Sequence, residues 1–274
     1  SSSAASDTDY WLGEAYRRLE DETRALEHYR NFLSSVYDSQ YRSHALLEAA
    51  RLASRARLDG EALAYLDLRD EEFSNSVEGR AASLRIRATS YMRTGNLELA
   101  RDAYARILTD PMDDAEKQAA NLDIAMTWVG TESVAEALPY LQKALRGPDE
   151  RIRADAMFTS GTIMLSQEDL RGAGLLKDFA AAFPSDSRRE ESLKTAIGAW
   201  QKTGESEKTL EALDILIQDF PYSGDHPSYL YLKGAVLLES GESSGALSAF
   251  GAILNTHPNS SLRSDALAKI ASIY

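Results

Sequence analysis

The feature that most limits the fold of this 274-residue chain is a small side chain that returns at a nearly constant interval. Ala25, Ala62, Ala100, Ala137, Ala173, Thr209 and Ala246 stand 37, 38, 37, 36, 36 and 37 residues apart. A second column runs twelve residues upstream, Gly13, Ala50, Ala88, Ala125, Gly161, Ile197 and Gly234, and Ala271 continues it. Three residues past that column the side chains are mostly bulky, among them Tyr16, Tyr91, Trp128, Met164, Trp200 and Leu237. Residues three and four apart share a helical face, so each period reads as two helices that cross at Gly or Ala. Helices reach the short end of the usual spacing of about 8–10 Å only where the crossing side chains are small. Ile197 and Thr209 break both columns, which predicts a wider or rotated hairpin in the sixth period. Lys177 stands where other periods place Tyr, Leu or Phe, and a one-residue shift that turns Leu176 inward accommodates it.

Punctuation and composition agree with helical hairpins. Gly95-Asn96, Gly204-Glu205 and Gly241-Glu242 fall inside their periods, where the chain reverses. Pro111, Pro148, Pro184, Pro221, Pro227 and Pro258 fall between periods, where a missing N–H ends one helix without harm to the next. Pro139 falls near the start of a second helix, whose first turn tolerates it. Ala and Leu number 40 and 35 against 5 Val and 11 Ile, a balance that favours an all-α chain. Without cysteine there is no disulfide, thiolate nucleophile or Cys-ligated metal, and a formal charge of −13 opposes sequence-independent nucleic-acid binding. No apolar run approaches the roughly 18 residues of a membrane span.

The run Tyr10-Trp11-Leu12-Gly13-Glu14-Ala15-Tyr16 with Ala25 and Tyr29, and the set Leu230, Gly234, Gly241, Ala246, Phe250 and Pro258, resemble the tetratricopeptide repeat. The resemblance implies an all-α solenoid, a right-handed superhelix of antiparallel hairpins. It covers 9–274 as a single solenoid of seven hairpins plus the first helix of an eighth, behind a flexible Ser-rich tether at 1–8. Phe220-Pro221-Tyr222-Ser223 and His257-Pro258-Asn259-Ser260 resemble the variant of bacterial cell-envelope proteins, including the Tol-Pal cell-division coordinator and outer-membrane assembly lipoproteins. That likeness implies a periplasmic protein, tethered to the membrane, if at all, by a lipid anchor upstream of this chain. The family implies a non-enzymatic scaffold for a protein or peptide partner, with the first helix of each hairpin lining a concave groove.

The stripe that such a groove displays is basic in the first three periods, through Arg17, Arg18, Arg51, Arg55, Arg85 and Arg93. These six predict a wall that attracts an acidic segment; the plainer reading is that they pair with acids across neighbouring helices. Periods four and five supply the apolar side chains Leu122, Met126, Val129, Phe158 and Leu165, which offer a holding surface or serve as inter-helix packing. Two other functions compete with the scaffold: a carrier of a small hydrophobic ligand on the apolar stretch, and a structural oligomer. No cofactor or metal site is expected. The literal G-x-S-x-G at 241–245 follows a predicted helix rather than the strand a nucleophile elbow needs. His28, His44, His226 and His257 lie in separate periods or linkers.

Overall fold

The computed structural model describes residues 7–74, 79–109 and 113–274. Among them are fifteen α-helices, one 3₁₀ turn and no strand. The chain forms two compact units, Ser1–Tyr140 and Leu141–Tyr274.

In the first unit α1 (Thr8–Arg18) pairs with α2 (Glu22–Ser35), α3 (Arg42–Arg55) with α4 (Asp59–Glu72), and α5 (Arg80–Arg93) with α6 (Leu97–Ile107). The helix α7 (Asp114–Met126) follows, then a 3₁₀ turn at Val134–Ala137 that runs into α8 (Leu138–Ala144), within which the first unit ends. In the second unit α9 (Glu150–Ser166) pairs with α10 (Arg171–Ala182), α11 (Arg189–Thr203) with α12 (Ser206–Asp219), and α13 (His226–Glu239) with α14 (Ser243–Thr256). The last helix, α15 (Arg263–Ile273), packs on α14. Of the residues read as a tether, 1–6 lie outside those described, as does Pro111. Thr8 already opens α1, and the Ser39 hydroxyl donates to Asp7 at 3.0 Å.

Both small columns point into the packing. The alanines at 25, 62, 100, 137, 173 and 246 are fully buried, and Thr209 is nearly so. A Cβ on Gly13 would stand 2.9 Å from the Tyr29 ring, one on Gly161 2.7 Å from Leu176, and one on Gly234 2.7 Å from Phe250. The fifth hairpin is therefore shifted by one residue, with Leu176 buried and Lys177 turned out to pair with Glu211. In the sixth, Ile197 and Thr209 are both buried, and α11 and α12 pack over less of their length than α9 with α10 or α13 with α14. On α15 the column residue Ala271 is exposed.

The hairpin turns share one backbone requirement. Gly95, Gly204 and Gly241 take left-handed φ values of 78°, 73° and 81°, and at the matching turns Glu20, Arg57 and Glu168 take φ 60° without being glycine. The fourth period departs most. Pro139 has no N–H to give the carbonyl of Ala135, which accepts instead from Leu138, and the second helix begins as a 3₁₀ turn.

Candidate partner-binding cleft

In the first unit the stripe residues converge on a cleft of about 490 Å³ lined by Arg17, Glu20, Glu22, Glu48, Arg51, Leu52 and Arg55. Arg17 and Arg51 are held by two buried carboxylates, Glu48 in the lining and Glu14 behind Arg17. Glu14 accepts from the Tyr29 hydroxyl at 2.5 Å and from Arg17 at 2.8 Å. Burial alone would raise the Glu14 carboxyl; hydrogen bonds from Arg17 and Tyr29 outweigh it and hold the group below its usual range. Glu48, 4% exposed, lies 3.8 Å from Arg17 and 3.1 Å from Arg51. At the rim Arg55 meets Glu22 at 2.5 Å.

Four of the six predicted arginines thus face acids, the fourth being Arg93, which meets Asp59 at 2.5 Å and donates to the Ser54 carbonyl at 2.8 Å. Arg18 and Arg85 are exposed. A rule emerges from the spacing. Arg55 and Arg93 each lie five residues past the small column, and Glu22 and Asp59 lie nine past the column of the preceding period. Arg18 occupies the same position in the first period and is exposed.

The helical face that the spacing assigns to the groove, which also takes in Tyr10, Leu47 and Ser54, is rotated from its expected place. Tyr10, Leu47 and Ser54 are buried, Tyr10 stacking on Tyr41 with centroids 4.4 Å apart, whereas Glu48 turns into the cleft. Glu22, Glu48 and Asp59 are the residues that sequence reasoning missed, although the column-plus-nine spacing marks two of them. Of the apolar candidates, Met126 and Val129 are exposed by 38% and 42%, and Leu122 is half-buried. In the second unit Phe158 packs edge-on to Phe179 beneath Arg188, and Leu165 packs against the same core. The Gly241–Gly245 segment is the turn between α13 and α14, with Ser243 opening a helix that no strand precedes.

These are paired helices whose close approach is set by Gly and Ala on one side and an aromatic or Leu on the other. Residues 7–37 match the model of a tetratricopeptide repeat. The fold is similar to that of the C-terminal part of a tetratricopeptide repeat-containing protein from Cytophaga hutchinsonii, at TM-score 0.68 and 12% identity over 93% of this chain and 98% of that one. A tetratricopeptide repeat protein from Parabacteroides merdae aligns at TM-score 0.55 and 14% identity, over 98% and 99% of the two chains. YrrB, described as a tetratricopeptide protein with an unusual peptide-binding site, aligns at TM-score 0.51 and 23% identity over 70% of this chain and 91% of its own. No curated protein matches in sequence. Residues 7–37 thus carry a tetratricopeptide repeat, and the chain shares the all-α fold of helical hairpins seen in tetratricopeptide-repeat proteins.

Proposed function

We propose that the protein is a non-enzymatic scaffold of the bacterial periplasm that holds an acidic segment of a partner protein along the first helices of its opening hairpins. The fold suggests a protein-interaction scaffold. The observation that carries the finer reading is the cleft between α1 and α3, where arginines meet carboxylates that a ligand can replace. The Arg55–Glu22 pair leaves its side chains 61% and 45% exposed, and such pairs contribute only about 0.2–1 kcal/mol. Exchanging Glu22 for a partner carboxylate is therefore nearly free, and exposed Arg18 follows the cleft's Arg17 on α1. The periplasmic placement, with a lipid anchor upstream, rests on the resemblance of the inter-repeat segments to cell-envelope proteins; fractionation of the source cell tests it separately.

The binding test is an anisotropy titration with labelled hexaglutamate, hexaserine and hexalysine. Arg55→Glu is the informative variant, because Arg17 and Arg51 satisfy the buried Glu14 and Glu48 and their loss would perturb the fold. Hexaglutamate should bind best and weaken about tenfold in the variant, the loss of one such pair and the repulsion that replaces it. Equal affinity for the three peptides, or no change in the variant, removes the cleft from the proposal. Exposed Met126 and Val129 support a second reading, a small hydrophobic ligand carried at the C-terminal end of α7 and the turn after it; native mass spectrometry of purified protein would then show a retained small molecule.

A further inference from the structure

A third column escapes a reading based on side-chain size. Eight residues before the upstream small column stand Arg42, Arg80, Lys117, Arg153, Arg189, His226 and Arg263. The position opens the first helix of a hairpin and reaches back to the end of the preceding helix, whose last carbonyls lack intrahelical donors. Arg42 donates to the carbonyls of Leu33 and Val36 at 3.0 and 2.7 Å, Arg189 to Ala180 at 2.7 Å, His226 to Ile217 at 3.2 Å and Arg263 to Leu254 at 3.2 Å. Each of these reaches a carbonyl nine residues upstream. Where the clamp is complete, a second group thirty or so residues downstream closes it: Glu72 on Arg42 at 2.6 Å, and Asp219 on Arg189.

In the seventh hairpin both members are histidine. His226 Nδ1 lies 2.7 Å from His257 Nε2, and His226 is 8% exposed. The carbonyl of Ile217 only accepts, so His226 carries its proton on Nε2 and presents a bare Nδ1, to which His257 Nε2–H donates. A first added proton, on His257 Nδ1, keeps that bond. A second must go to His226 Nδ1, where it removes the acceptor and sets two cations against each other.

We propose that the His226–His257 clamp is a proton-operated joint, closed when at least one imidazole is neutral and opened by the second proton, so that acid loosens α12, α13 and α14 while the Arg–acid clamps stay shut. The surrounding charges do not rescue it. Asp219 on α12 is tied to Arg189, Asp225 before α13 to Lys194 at 3.2 Å, and Glu190 on α11 accepts from Ser223 and Tyr229. On the α15 side Arg263 is engaged with Leu254. Burial first and the charge of a protonated His226 second hold the His257 imidazole below its usual range, so the pair resists carrying two protons. With a folded value below the unfolded one, the unfolded chain binds more protons as pH falls through about 6.5, and the joint loses stability in that direction.

The test uses the full chain with EDTA present throughout. Amide exchange, corrected for its intrinsic pH dependence, should quicken about tenfold in residues 206–256 between pH 7.5 and 5.0. Exchange in residues 42–72 should not change. Restoring a charged clamp with His226→Arg and His257→Asp should abolish the response. Should that variant misfold, imidazole nitrogen shifts of the unaltered protein decide: two coupled steps, the second at lower pH than a free imidazole, support the joint. Independent titration of both rings near pH 6.5, equal quickening at the Arg42 clamp, or a response retained by the charged variant overturns it.

Discussion

Gly234 and Gly251 are both helical glycines of the seventh hairpin, and one methyl added to each has opposite signs. At Gly234 the new Cβ would lie 2.7 Å from the Phe250 ring, whereas at Gly251 it meets nothing within 4 Å. Gly234→Ala should cost about 1–3 kcal/mol by overpacking. Gly251→Ala should gain about 1 kcal/mol from helix propensity. Thermal melts of the two variants check both, and shifts of the same sign would mean the hairpin crossing is misplaced. Asp123 on α7 offers a second test at this scale. Burial pushes its carboxyl up to about 6, and Arg85 is the charge that draws it back. The native carboxyl then keeps a proton that the unfolded chain has lost between about pH 4 and 6, so this group's contribution is best below pH 4 and worsens as pH rises through 6. Asp123→Asn should raise stability by about 1–3 kcal/mol at pH 7.5 and by little at pH 4. Urea midpoints at the two pH values measure it.

Among the elements, legibility followed side-chain volume. Ala100 or Gly161 announces a crossing because nothing larger fits there, and the interval repeats, so hairpin membership and even the Leu176 shift can be read from letters. The groove stripe could not be read as well, since one residue turns a helix by about 100°: Tyr10 and Leu47 went to the core and Glu48 came to the cleft. Pro139 was legible as a helix start but not as a 3₁₀ entry, because the Ala135 carbonyl's turn to the Leu138 N–H shows only once its neighbours are placed. The clamp column is as periodic as the alanines, yet a charge at a helix start ordinarily reads as solvation. Its weight is testable at Arg42, which is 2% exposed and serves Leu33, Val36 and Glu72 together. Arg42→Met should cost about 3–5 kcal/mol, because one carboxylate and two carbonyls lose their donor in a buried site. Arg42→Lys should recover only part of this, lacking the planar fork. Arg263→Met, at an exposed clamp, should cost under about 1 kcal/mol. Denaturant midpoints of the three variants rank them; equal losses at Arg42 and Arg263 would reduce the column to sequence habit.

The charge of the molecule as a whole works against the ligand proposed for its cleft. Residues 1–140 hold 16 basic and 25 acidic side chains, a net −9, while 141–274 hold 14 and 18, a net −4. The cleft lining is balanced, three Arg against three Glu. An acidic peptide is therefore repelled at long range and accepted only at contact. Salt separates the two distances. At about 0.01 M the Debye length is about 30 Å and the surplus acids of the first unit act together, whereas near 0.15 M it is about 8 Å and only the contacting arginines are felt. Association of hexaglutamate should accordingly quicken severalfold as salt rises from 10 to about 100 mM, then slow toward 1 M as the contact pairs are screened in turn. Hexalysine, drawn by the surplus acids, should slow monotonically. Stopped-flow association rates across that range show the difference. A hexaglutamate rate that only falls with salt would mean that the arginines, not the surplus acids, set the field at long range, and a rate indifferent to salt would mean that binding does not use the cleft.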